Sequence, residues 1–387
     1  MTIEFGLRPE LLGARLKSAR SMRRMTQEAA ASALGLARTT IVAIEAGKRQ
    51  VAVDELRALA KLYDAAEADL IDAGGPAVDL SVRFRASAPK NGVDDEALVA
   101  SMLSRLANSV LQLEALVGVP SSKLDVPEVQ LVRDLPVEQQ AEDAALALRS
   151  RLGLGLGPIQ DINALLESEL GLRVFERPLP SKISGAIGFT DEAGGFVLLN
   201  SKHPVYRRRV TAAHEVAHAA LRKPGLSVHF EDDSFDDREE RFCDVFGSCF
   251  LMPAAAVRKR AGELKKVVGK FTVRELLTMT LYFNVSMEAL VRRMIALKLL
   301  PSGTFEQLKR DGLGMKHRER VREELGLNQE QPIFTARTML LALAAYDREL
   351  LSEQQIAAML ELDLVTVRKA LGQTASDKPE TELELAA

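Results

Sequence analysis

The chain of 387 residues has no tryptophan, four tyrosines, five histidines and two cysteines. Two cysteines, Cys243 and Cys249, cannot supply the disulfide framework of a small secreted domain, and their spacing matches no common zinc ribbon. They read instead as small apolar residues buried on one helix. No apolar run approaches the ~18 residues of a membrane span, and no basic-then-apolar leader opens the sequence. A soluble, cytoplasmic protein that avoids membranes is therefore expected. The formal net charge of −3 excludes little, because it averages over regions of opposite sign.

What is plentiful is Ala and Leu, which favours a mainly helical protein, and the length calls for two or three domains. The expected organisation is a helix-turn-helix bundle over 1–72, a linker and helix over 73–135, and an α+β domain over 136–300. A helical region over 301–375 and a disordered tail over 376–387 follow. Within 73–135, Gly74-Gly75-Pro76 and Asn91-Gly92 mark the linker, and the alternating piece 80–85 suggests a short strand. Strands are expected at Leu172–Phe175, Ile183–Phe189 and Gly195–Leu199, the last two joined by a hairpin loop. Helices are expected from about Pro204 to Leu221 and over 238–251, 253–267, 272–281 and 286–298.

The stretch from Met25 to Gln50 has the punctuation of a helix-turn-helix. Thr26 is placed to cap a first helix, Gly35 supplies the turn, and a second helix from about Arg38 to Glu45 buries Ile41 and Ile44. Gly47 ends it. Through Thr26-Gln27, Leu34-Gly35, Ile41, Ile44-Glu45 and Gly47-Lys48-Arg49 the segment resembles the Cro/repressor-like (XRE-type) family over about residues 9–70. The resemblance implies double-stranded operator DNA as partner, with Gln27, Arg38, Thr39 and Thr40 facing it and Lys48 and Arg49 on phosphates. Nine Lys/Arg against three Glu between Arg8 and Arg49, a local +6, suit phosphate contact. Ala37 departs from the usual capping Ser, and Val42 and Ala43 stand where polar base-readers are common. Two-fold DNA sites would imply a homodimer.

The second signal is His214-Glu215-Val216-Ala217-His218. Two histidines at i and i+4 project from one helical face, one turn apart, so both imidazoles can reach one Zn²⁺. Glu215 lies beside them, where it can act as a general base. A catalytic zinc needs a third protein ligand, and His229, the acids of 231–240 and Cys243 are the downstream candidates; spacing alone does not separate Glu239 from Glu240. His229 reads as a surface residue.

With Val210-Thr211 before the two histidines, and Glu240-x-x-x-Asp244-x-Phe246 leading to Leu251-Met252-Pro253 after them, residues 140–300 resemble the ImmA/IrrE-type metallopeptidases. That resemblance implies a zincin-like domain whose metal ligands are His214, His218 and Glu240 and whose base is Glu215. Cys243 and Gly247 replace residues that are usually Ala. In the last third, Ser352–Leu371 reads as a helix pair. It is either a packing unit or a second helix-turn-helix with Thr366, Arg368 and Lys369 outward.

The expected function is a DNA-binding transcriptional regulator carrying a zinc-dependent endopeptidase. Its substrate would be a regulatory protein, a repressor or the chain itself, cleaved in a stress or mobile-element response. The alternative is a regulator whose zinc domain senses or scaffolds without turnover; a toxin-linked regulator is a third reading.

Overall fold

The computed structural model describes residues 9–23, 25–63, 65, 70, 93–120, 123–190, 193–222, 225–230, 238–269, 271–310 and 335–374. The glycine-rich linker, the piece 80–85, most of the acidic stretch before Glu240 and the C-terminal tail lie outside the described residues.

Four helices open the chain: α1 (Pro9–Met22), α2 (Gln27–Leu34), α3 (Arg38–Glu45) and α4 (Val53–Tyr63). The Thr26 hydroxyl accepts from the Ala29 amide at the start of α2, and Gly35 turns the chain at φ 65°. Helix α3 begins at Ala37 without a side-chain cap, as the missing Ser implies. Leu16, Ala30, Ala31, Ile41, Ile44, Leu56 and Leu59 form the core. A charged group is sealed into it. Arg20 donates to both oxygens of Glu45, at 2.5 and 2.9 Å. A Cβ at Gly13 would lie 2.4 Å from the Ile44 carbonyl oxygen, so only glycine lets α1 cross the end of α3 this closely.

Further along lie α5 (Val93–Val117), α6 (Val137–Arg151), α7 (Ile162–Ser168), β1 (Leu172–Arg177), β2 (Ile183–Thr190), β3 (Gly194–Asn200), α8 (Val205–Leu221), β4 (Gly225–Phe230) and α9 (Arg238–Leu251). The strands form one mixed sheet in the order β1-β3-β2-β4, with β1 parallel to β3 and the other pairs antiparallel. The strands expected at Leu172–Phe175, Ile183–Phe189 and Gly195–Leu199 are present; β4 was not anticipated. Strand β3 is buried throughout, and its side chains divide between two cores. Val197 and Leu199 pack with α8, α9 and α6, whereas Phe196 and Leu198 pack with α5. Both faces being covered explains why the strand reads as a continuous apolar run.

Helices α10 (Ala254–Val268), α11 (Val273–Phe283), α12 (Met287–Ala296) and α13 (Thr304–Arg310) follow. The C-terminal helices are α14 (Ala336–Asp347), α15 (Glu353–Met359) and α16 (Leu364–Thr374), and Ser352 forms a capping box with Gln355. Leu341 and Ala345 of α14 join α5 over the sheet, while Ala342 packs with Ile356 of α15, Leu360 just after it, and Val367 and Leu371 of α16. Thus the helix pair of the last third is packed as part of a bundle, with Arg368 and Lys369 exposed on it. The protein is mainly α, with an N-terminal helical bundle and a small-sheet α+β domain, as the sequence implies. Among the described residues no helix is long and apolar enough to cross a membrane.

Candidate metal centre and nucleic-acid interface

Helix α8 starts after Pro204 and ends where Arg222 turns left-handed at φ 52°. Its first turn is steered by Asn200 at the end of β3, whose side chain accepts from the Leu179 and Lys202 amides and donates to the Ile183 carbonyl. Arg209 is buried and donates to the carbonyl oxygens of Ile159 and Gln160. These contacts fix the helix's rotation, so His214, Glu215 and His218 face the seam between α8, α9 and β2.

Across that seam α9 supplies Glu240. The Nε2 atoms of His214 and His218 are 3.0 Å apart, and the Glu240 carboxylate lies 3.4 Å from the first and 3.5 Å from the second. Tetrahedral zinc with bonds of ~2.0–2.1 Å would set its ligand atoms ~3.3 Å apart. The three donors therefore already sit at the spacing a zinc ion demands. Glu240, not its neighbour Glu239, is brought to the two histidines.

The electrostatics agree. Burial disfavours a charged His214, yet its hydrogen bonds to Asp244 and Glu240 prevail and raise it to about 10. Burial likewise opposes ionised Glu240, but hydrogen bonds to His214 and His218 hold it far below the usual carboxylate range. Carboxylates that favour positive charge at this depth make a site suited to a cation, and a metal would take the place of the proton on His214 Nε2. The His214 Nδ1 lies 2.9 Å from Asp244 Oδ1. An ionised carboxylate only accepts, so Nδ1 carries the proton and leaves the Nε2 lone pair for a metal.

Glu215 is wholly buried, and neither carboxylate oxygen has a hydrogen-bond partner among the described residues. Burial raises it to about 7, against the pull of His218 and His214. A general base is most effective when poised near operating pH. Room for this carboxylate comes from β2. A Cβ on Gly185 would lie 2.6 Å from Thr211 Cγ2, 2.9 Å from the Leu198 carbonyl oxygen and 3.3 Å from Glu215 Oε1. We expect Gly185→Ala to destabilise the domain by about 1–3 kcal/mol through overpacking, measured as a lower urea midpoint. An unchanged midpoint would mean that α8 does not rest on β2 this closely.

Of three further neighbours, one was placed elsewhere by the sequence reading, one has a role it did not give, and one lies where it was expected. His229, expected at the surface, is on β4, half-buried, with its ring centroid 4.2 Å from that of His214. Burial, then the charge of His214, push it down to about 3, so its ring is neutral. Asp244 was visible as a motif residue one turn beyond Glu240, but its service to His214 was not. Cys243 is fully buried with its sulfur within 4.8 Å of donor atoms of His214 and His218, and burial pushes its thiol up. Both cysteines are free and buried, as expected.

In the N-terminal bundle α3 presents Arg38 and Thr39 exposed and Thr40 partly so. Arg38, Thr39, Val42, Ala43, Ala46 and Lys48 line one shallow concavity. Lys48 and Arg49 are exposed; Arg49 pairs with Glu55 at 2.8 Å, an exposed contact of the kind that competes weakly with phosphate. The Gln27 amide donates to Glu45 Oε2 at 2.8 Å, which ties it to the sealed Arg20–Glu45 pair.

Comparison with known proteins gives the class. Residues 11–73 match a helix-turn-helix domain, and residues 167–294 match a peptidase model described as the IrrE N-terminal-like domain. The chain thus joins a segment similar to an XRE-like helix-turn-helix to one similar to a metallopeptidase-like domain. No curated protein matches it. Two solved structures align over most of its length. ComR from Streptococcus suis is 10% identical, with 95% of this chain and 94% of that chain covered and a TM-score of 0.17. The apo competence regulator ComR from Streptococcus vestibularis is 13% identical, with 95% and 98% covered and a TM-score of 0.16. Scores this low carry no argument about fold or function.

Proposed function

We propose that this chain is a cytoplasmic, operator-binding transcriptional regulator, acting as a homodimer, whose domain around α8 is a zinc-dependent endopeptidase. Its substrate is a regulatory protein partner or the chain itself, cleaved in a stress or mobile-element response. The observation that carries the enzymatic half is Glu215: a carboxylate buried without a hydrogen-bond partner among the described residues, next to His214 in the chain. A domain that only sensed or scaffolded would have no chemical need for so costly a group.

His214, His218 and Glu240 would hold the metal, with Asp244 orienting His214 and Glu215 outside the ligand set. When bound, zinc supplies a Lewis acid for the scissile carbonyl and lowers the pKa of water toward ~7. Glu215 then takes the proton of the attacking water and returns it to the departing amine, both within the buried seam. In the DNA-binding half, Gln27, Arg38, Thr39 and Thr40 face the DNA, while Lys48 and Arg49 meet its phosphates.

Two measurements on the full chain test the two halves. Elemental analysis should find about one zinc per chain in the wild type and far less in His214→Ala and Glu240→Ala. Operator binding should weaken with salt, and Lys48→Ala should reduce the magnitude of that salt slope by about one. A wild type that takes up no zinc after reconstitution removes the peptidase. A binding constant indifferent to salt removes the DNA contact.

A further inference from the structure

Strand β4 is an edge strand, paired only with β2 among the described residues, and it places His229 opposite Gly185. Successive side chains on a strand point to opposite faces. Val228 packs into the core on the α5 side, so His229 projects toward α8. Gly185 offers no side chain in between, and the His229 ring comes to rest against His214. One of its ring nitrogens lies within 4.8 Å of donor atoms of both His214 and Glu240. Its Nδ1 is buried and has no hydrogen-bond partner among the described residues.

A tetrahedral zinc site with three protein ligands keeps one position, and what fills it divides catalytic from closed sites. Cys243 is also near His214 and His218, but it is fully buried and fixed in a helix. His229 comes from the sheet edge, from a strand held along one side. We infer that His229 is a fourth protein ligand to the same metal, closing the centre in the free chain so that the peptidase is latent until β4 moves. This rests on the reading of His214, His218 and Glu240 as zinc ligands.

The test uses the full chain, zinc competition against a chromophoric chelator, and the visible absorption of the cobalt(II)-substituted protein. His229→Ala should weaken zinc binding by at least about tenfold and shift the cobalt bands, as a ring nitrogen gives way to solvent. Ser227→Ala, on the same face of β4, should change neither. In the unmutated chain, zinc should protect His229 from diethyl pyrocarbonate, read by peptide mass spectrometry, which needs no variant to fold. Affinity and cobalt spectrum within twofold of wild type in His229→Ala, or carbethoxylation of His229 at the same rate with and without zinc, overturns the inference. Failure of the wild type to bind zinc is a different result, because it removes the three-ligand centre and not only its fourth member.

Discussion

Glu215→Gln is expected to leave the zinc content unchanged while peptide-bond hydrolysis falls by roughly 10²–10⁴, the range a positioned general base contributes. The amide has nearly the same shape as the carboxylate, so it fits the same space beside Gly185. Neither its oxygen nor its nitrogen can take a proton from water at neutral pH. Because Glu215 is outside the ligand set, the donor triangle of His214, His218 and Glu240 persists. Stability should hold or rise slightly, since a buried, unpartnered ionisable group gives way to a neutral one.

This combination separates chemistry from binding, which a ligand variant cannot do. His214→Ala or Glu240→Ala removes metal and activity together, and a merely structural zinc would give the same result. The readout is the set of cleaved cellular proteins found by N-terminal mass spectrometry in cells carrying wild type or Glu215→Gln. Identical sets would end the case for proteolysis, whatever the metal content. If His229 closes the centre, the same comparison in a His229→Ala background should show the larger difference.

Much of this centre was legible because its information is local. His214 and His218 are one turn apart on a helix whose start at Pro204 is also written locally. The turns around α2 and α3 are similar, with Thr26, Gly35 and Gly47 each marking a boundary the structure shows. Glu240 came from family resemblance, since Glu239 and Glu240 differ by only about 100° of helical phase. The fold resolves them by how α9 lies on α8. A Cβ on Gly247 would be 3.1 Å from the His214 amide nitrogen, so that glycine sets the close approach of the two helices. Nothing near Gly247 in the sequence announces its partner.

What stayed hidden depends on distant pairing. Strand β4 is short and edge-bound, and its alternation through Ser227-Val228-His229 is too brief to read without β2 beside it. The placement of α5 and α14 on the far face of the sheet joins segments more than two hundred residues apart. So does the charge cluster beneath them, because no spacing rule links Glu114, Arg173 and Arg337.

That cluster supports the remaining large effect, in which Glu114→Ala destabilises the domain by about 3–5 kcal/mol. Glu114 on α5 and Arg173 on β1 are both almost fully buried. The guanidinium donates to the two carboxylate oxygens at 2.9 and 2.7 Å, and to the Ala193 carbonyl at 2.9 Å. It also stands 5.2 Å from the centroid of the Phe196 ring. Arg337 from α14 reaches the same carboxylate at 2.9 Å. Removing Glu114 therefore leaves one arginine charged and buried and takes away the anion that holds α14 to α5. The carbonyl and the ring remain, but neither neutralises a full charge. Glu114→Gln keeps the volume and one acceptor and should cost less. Replacing the buried pair together, Glu114→Leu with Arg173→Met, should recover most of the loss, since apolar side chains of similar size avoid the cost of desolvating two ions. Urea unfolding followed by circular dichroism gives the magnitude, and hydrogen exchange should place the lost protection in α5, β1 and α14. A loss below about 1 kcal/mol in Glu114→Ala, the scale of an exposed ion pair, would mean that water reaches Arg173. The sheet's second face would then not be sealed as these contacts require.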